Sequence, residues 1–267
     1  MTGRAINHAI ATLENAAPST IVITGNVFRH VPDAHVEHIS GNNYQLLAMH
    51  ALPVPPRQHR LSTIAETEPS ITELIQLAQQ VEHLRSYLPE ELPLRIIRRG
   101  SGRGEFRPVT ALYTNFYAFS RLLTLLELLS QIENDSSLVA KVLNLYYRRF
   151  QGVILDHGGY ISAIDMASTG HRVQVVFGAP RAHEDDPERA LLASEALHEM
   201  ARSIRTEIIE VVEQWISERP EQRNLRSVLN LPLAQSVALA SGTVFAGLIG
   251  PPQRTQYMVI GSTIHLA

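Results

Sequence analysis

Three histidines, His30, His35 and His38, stand close together in a polar stretch, at separations a metal ion could use. Imidazole is a common ligand, but isolated histidines in a polar loop are usually solvated, and the trio is read that way. Carboxylates gather in "EDDPER" (Glu184 to Arg189). Acidic residues around a proline mark the start of a helix, where negative charge complements the helix dipole, with Asp186 as the cap and Pro187 at the first helical position. The aromatic pair Tyr146 and Tyr147 recurs with Leu143 and Phe150 at helical spacing, which fits core or dimer surface better than a cofactor box. Cysteine is absent, removing disulfides, thiolate metal sites and cysteine nucleophiles together. Lys141 is the only lysine, so any chemistry that requires one has a single candidate.

The 267 residues, 45% hydrophobic and 18% charged, make an ordinary globular composition. A formal net charge of -3 gives no broad attraction for phosphate backbones, and the basic stretch "RIIRRGSGRGEFR" (Arg95 to Arg107) lacks interleaved aromatics. It reads as a linker, and no nucleic-acid partner is expected. Apolar runs fall short of a membrane span and no secretory leader pattern opens the sequence, so the expectation is a cytoplasmic chain without membrane contact.

The elements that position these residues follow from periodicity. Residues 4 to 16 have helical spacing and Pro18 ends them before a strand at Ile21 to Ile23. "YQLLAM", after a Gly-Asn-Asn turn, reads as another strand. Prolines 53, 55, 56 and 69 mark a linker. Ser70 and Glu73 form a capping box for a helix reaching to Leu88, whose stripe is Ile71, Leu74, Ile75, Val81 and Leu84. Later elements are a strand at Val109 to Tyr113, a helix from Ser136 to Leu155, a turn at "DHGGYI" into a strand, and the strand "RVQVVFGAP". A long helix follows Pro187. "SVALASG" and "TVFAGLIG" read as two strands joined at Ser241-Gly242. This order implies an α+β domain with helices on one sheet face.

Read in order, "RPVTALYTNFYAFS", "HGGYISAIDMASTGHRVQVVFGAPRAHEDDPERAL" and "ASGTVFAGLIGPPQRTQYMVIGSTIHLA" resemble successive motifs of the class III adenylyl and guanylyl cyclase catalytic domain. "TGRAINHA" (residues 2 to 9) and "IGSTIHLA" (260 to 267) repeat one phrase, similar to the family's catalytic-helix motif. The resemblance implies a ferredoxin-like α+β fold working as a dimer and using two metal ions. It divides the chain into residues 1–50, the tail of a preceding cyclase domain; 51–105, a linker with its helix; and 106–267, a cyclase-homology domain that stops after the last recognisable motif. Residues 4–50 resemble what would come next, and so could dock back in cis as a permuted complement, dock on a neighbouring chain or hang free.

Carried across residue by residue, the family's metal aspartates fall on Asn115 and His171, its purine-reading residues on Ala163 and Ser262, and its transition-state asparagine on Asn7 in the first copy and His265 in the second. In the first copy Arg4 replaces an acidic residue and Ala11 an arginine. Asparagine keeps the shape of aspartate without the charge, and neutral histidine suits zinc better than magnesium. A charge-assisted interaction of the kind an aspartate would make is worth roughly 1.5 to 3 kcal/mol. His171 reads as a drifted surface or cleft residue rather than a replacement ligand, although Asp165 nearby could supply a charge. No intact catalytic, metal or nucleotide site is therefore expected, and no cofactor unless a partner domain makes the chain active with Mg2+ or Mn2+. The implied role is a pseudo-cyclase half, or a fragment, that pairs with another cyclase-homology domain. The alternatives are an adenylate or guanylate cyclase completed by a partner, and a non-functional remnant.

Overall fold

The computed structural model describes residues 9, 11–13, 16–31, 33–48, 70–85, 104–167, 170–219, 231–251 and 255–266. The linker at 51–69 lies outside the described residues. Two compact units are present, Thr12–Arg99 and Gly100–Ala267 with Met1–Ala11.

In the first unit, β1 (Ile21–Thr24) leads into a single turn of helix, α1 (Gly25–Phe28), then β2 (His35–Ser40) and β3 (Asn43–Ala48). The strands form an antiparallel sheet in the order β1-β3-β2. β2 corrects the reading of its histidines as loop residues. His35 and His38 lie in a strand, and His38 Nε2 is 3.0 Å from the Gly41 carbonyl while its ring meets Tyr44 edge-on. His30 Nδ1 sits 2.8 Å from the Asn26 carbonyl. Gly41, at φ +57, allows the hairpin between β2 and β3. Helix α2 (Ile71–Arg85) starts on the expected capping box: the Ser70 amide donates to Glu73 Oε2 at 2.7 Å and the Glu73 amide to Ser70 Oγ at 3.3 Å. Hydrogen bonding from the Ser70 amide first and the Ser70 side chain second holds the Glu73 carboxyl below its usual range.

The second unit runs β4 (Glu105–Tyr117), α3 (Phe119–Glu133), α4 (Ser137–Asp156), β5 (Tyr160–Ala167), β6 (Gly170–Phe177), α5 (Asp186–Ser217), β7 (Ala234–Ile249), β8 (Gln256–Ile260) and α6 (Ser262–Leu266). Its sheet is antiparallel throughout, in the order β5-β6-β4-β7-β8. Helices α3, α4 and α5 contribute most of the main core. Phe116, Phe119, Leu126, Tyr146, Phe150 and Leu197 are fully buried there. The 32 residues of α5 span roughly 48 Å, and Ala193, Leu197, Ile204, Ile208 and Val212 keep one buried stripe along it. A smaller core, with Ala111, Val176, Val244, Val259 and Ile264, involves β4, β6, β7, β8 and α6.

Three expectations are corrected. The sequence reading assigns no element at α3, although Leu122, Leu123, Leu126 and Leu129 are buried there at helical spacing. β7 is one 16-residue strand rather than a hairpin. Gly242 is not a turn residue: a Cβ there would collide with Thr263 of α6, so glycine permits a close approach. The cap of α5 is Asp185, one residue before the expected position, and Asp186 lies in the first turn, where its Oδ2 accepts the His183 amide at 2.9 Å.

Phe150 fills the space between Tyr146 and the surrounding core with no exposed surface. Phe150→Ala is expected to destabilise the chain by about 3 to 5 kcal/mol, read as a lower midpoint in urea at unchanged slope.

Candidate functional site

β4 and β6 are neighbouring strands and carry both positions matched to metal ligands. Their register sets Asn115 opposite Arg172 and Phe116 opposite His171. Opposed residues share a face and successive residues alternate. Asn115 and His171 therefore point to opposite sides of the sheet and do not converge.

His171 follows Phe116 into the helix-covered core and is 0% exposed. Its ring is edge-on to Phe119, Tyr146 and Tyr147, with centroids 5.8, 5.3 and 5.5 Å away. The Tyr147 hydroxyl lies 2.8 Å from Nε2, and the Tyr146 hydroxyl 3.2 Å from Nδ1. Neutral imidazole has one N–H and one lone pair, so it donates to one hydroxyl and accepts from the other. Both ring nitrogens are engaged, and no lone pair remains for a metal. Burial lowers the His171 pKa from 6.5 to about 4, against a weaker opposing pull from Asp165. Burial also pushes the Tyr147 phenol up to about 12, and raises Tyr146. The cluster is neutral at neutral pH. This corrects the reading of His171 as a surface or cleft residue. The signal was present in the sequence: counting back by twos from Phe177 through Val175 and Val173 reaches His171, all in one phase.

The opposite face presents a row formed by Asn115, Arg172 and Asp165 across β4, β6 and β5. Asn115 is half-buried, and its Oδ1 has no hydrogen-bond partner among the described residues. Arg172 Nη2 stands 3.7 Å from Asp165 Oδ2. In the next row the Tyr113 hydroxyl donates to Gln174 Oε1 at 2.6 Å. Burial raises the Tyr113 pKa, and the nearby guanidinium of Arg172 works against the rise. Tyr113, Ala163, Asp165, Arg172 and Gln174 line a cavity of about 300 Å³. Ala163 thus brings a methyl group, and no hydrogen-bond donor, to the position matched to a purine-reading lysine. Ser262 and His265 are exposed on α6 and do not line the cavity. Asn7 lies outside the described residues. Tyr113, Arg172 and Gln174 were missed by sequence reasoning, because only strand register shows that they share a face.

A divalent ion of the magnesium class requires anionic oxygen ligands. Here the row offers an amide, a guanidinium and a carboxylate already facing that guanidinium, while His171 turns away. These residues do not fit a metal pair.

No family model matches the chain. Over 184 residues it is 27% identical to Adenylate cyclase 1 of Rhizobium meliloti (strain 1021), a match covering 68% of this chain and 23% of that protein. The structure is similar to that of a bacterial light-regulated adenylyl cyclase, with TM-score 0.51 and 17% identity over 73% of this chain and 49% of the other. The chain is similar to class III cyclase domains in sequence and in fold. The guanylyl cyclase Cya2 also matches, at 26% identity and TM-score 0.43 over 61% of this chain and 68% of that one. The second unit has the expected α+β fold. The chain spans only 23% of the length of the curated relative it matches. No helix among the described residues is long and apolar enough to cross a membrane.

The His171 pKa is depressed in the folded state, so the unfolded chain binds more protons between pH 6.5 and about 4. Stability is therefore fully present above about pH 6.5 and is lost as pH falls through that window, by on the order of 3 kcal/mol. His171→Gln keeps donor and acceptor atoms but does not titrate. Urea midpoints measured from pH 7.5 down to pH 4 should fall less steeply for this variant than for the wild type.

Proposed function

We propose that the chain is a catalytically degenerate cyclase-homology domain that acts by pairing with another cyclase domain. One observation carries this reading: the two positions matched to metal aspartates hold an amide and a core histidine, on opposite faces of the sheet. Cyclisation of a nucleoside triphosphate asks an enzyme to neutralise phosphate charge and activate a ribose hydroxyl, work usually given to paired metal ions. Asn115 supplies no negative charge. The His171 ring nitrogens are satisfied by the Tyr147 and Tyr146 hydroxyls. The domain framework, by contrast, is kept, with one large core against the helices and a smaller one beneath α6. A framework retained without its ion ligands is suited to binding another domain.

The test is cyclic AMP and cyclic GMP formation by the purified chain, supplied with ATP or GTP and Mg2+ or Mn2+, alone and beside an active class III cyclase domain. The expected result is no product from the chain alone and an altered output from the active domain. Product from the chain alone, abolished by Asn115→Ala, would overturn the proposal. Product that appears only in the mixture and falls with Asn7→Ala or His265→Ala would instead establish a completed heterodimeric enzyme.

A further inference from the structure

Helices α4 and α5 leave a groove of about 730 Å³ between them on their solvent side. Arg148, Gly152 and Asp156 follow one another along its α4 wall, one turn apart, and Val153, Ala196 and Met200 belong to its apolar lining. Neighbouring charges are paired within the chain, Arg149 Nη2 with Glu207 Oε1 at 2.5 Å and Arg202 Nη1 with Glu199 Oε2 at 2.9 Å. Arg148 and Asp156 are exposed and have no ion-pair or hydrogen-bond partner among the described residues. Each of the three residues on the wall works against its own helix. Glycine inside a helix is entropically unfavourable, and a Cβ at Gly152 would meet open space, so packing does not call for it. Asp156 ends α4, where the helix dipole disfavours negative charge. Arg148 finds Asn144 and Gly152 at the positions where a helix could supply an acid.

We propose that this groove receives an α-helix from a partner protein, with an acid facing Arg148, a base facing Asp156 and a small residue over Gly152. The helical rise puts Arg148 and Asp156 about 12 Å apart, so the partner's two charges stand two turns apart as well. Gly152, midway between them, lets the incoming backbone come close, and Val153, Ala196 and Met200 offer the apolar surface that an amphipathic helix covers. Two opposite charges at a fixed separation set the register and direction of that helix, and they reject one with like charges at both places. The proposal goes beyond the pairing reading and does not depend on it. The groove lies on the helices, whereas Asn115 and its row lie on the other side of the sheet.

The probe is a labelled, alanine-rich helical peptide with Glu and Arg two turns apart on one face and alanine between them. A second peptide carries Glu at both places. Fluorescence anisotropy with the full-length chain should show saturable binding of the first peptide and binding of the second weaker by about tenfold or more. Asp156→Arg should reverse that preference. Gly152→Leu should weaken binding of the first peptide by about tenfold or more, while its urea midpoint stays at or above that of the wild type, because a better helix former then points into open space. That midpoint separates a blocked groove from a damaged fold. A wild type that binds neither peptide or binds both alike, an Asp156→Arg variant that keeps the wild-type preference, or a Gly152→Leu variant that binds as before would each overturn the proposal. Loss of self-association in Gly152→Leu, seen by sedimentation velocity without any peptide, would overturn it too and assign the groove to a second copy of the chain.

Discussion

The hydrogen bonds between the His171 ring and the Tyr146 and Tyr147 hydroxyls hold the strand that carries the candidate site in its phase. Side chains alternate along a strand, so committing residue 171 to the core commits Arg172 to the other face, with Gln174 beside it. A shift by one residue would turn Val173 and Val175 out of the core and bring a guanidinium in. With both ring nitrogens satisfied, a buried imidazole costs little. A carboxylate in the same place would face three aromatic rings and the desolvation that already suppresses the imidazolium.

The consequence for chemistry is that one face of the sheet offers few metal ligands while the other holds a packed polar cluster. Asn115 keeps the size of an aspartate and Ala163 leaves open the cavity it lines. Arg172, a fixed cation, lies opposite Asn115 on that surface. The surface is thereby poorly suited to holding divalent ions. The helix-covered core, from Phe116 through Tyr146 to Phe150, does not depend on any of these changes.

Local rules made some parts of the molecule legible from residues alone. The capping box at Ser70 and Glu73, the stripe of α4 and the alternation in β6 are each decided within a few neighbours. Other parts required tertiary information. Gly242 reads as a turn because glycine is permissive, whereas in the fold it makes room for Thr263. β2 was obscured by its histidines, which look like loop residues until their pairing with β3 is known. His171 was placed in a cleft because the family comparison assigns a role to a position, while the alternation through Val173, Val175 and Phe177 that gives its face was not applied to it. The cyclase resemblance was recoverable because its motifs are spread along the chain in order. The separation of Asn115 from His171 was not, because it turns on the register between β4 and β6.

The cluster around His171 also limits which side chains position 171 can hold. A carboxylate placed at position 171 would enter a pocket shaped for an aromatic ring and two hydroxyls, so it would harm folding before it could serve an ion. Restoring Asn115 to aspartate first would bring no relief, because the two side chains remain on opposite sides of the sheet. The packing around position 171 thus favours a neutral side chain that hydrogen-bonds on both sides over a charged one, and residue choice there is set by the core rather than by the open face.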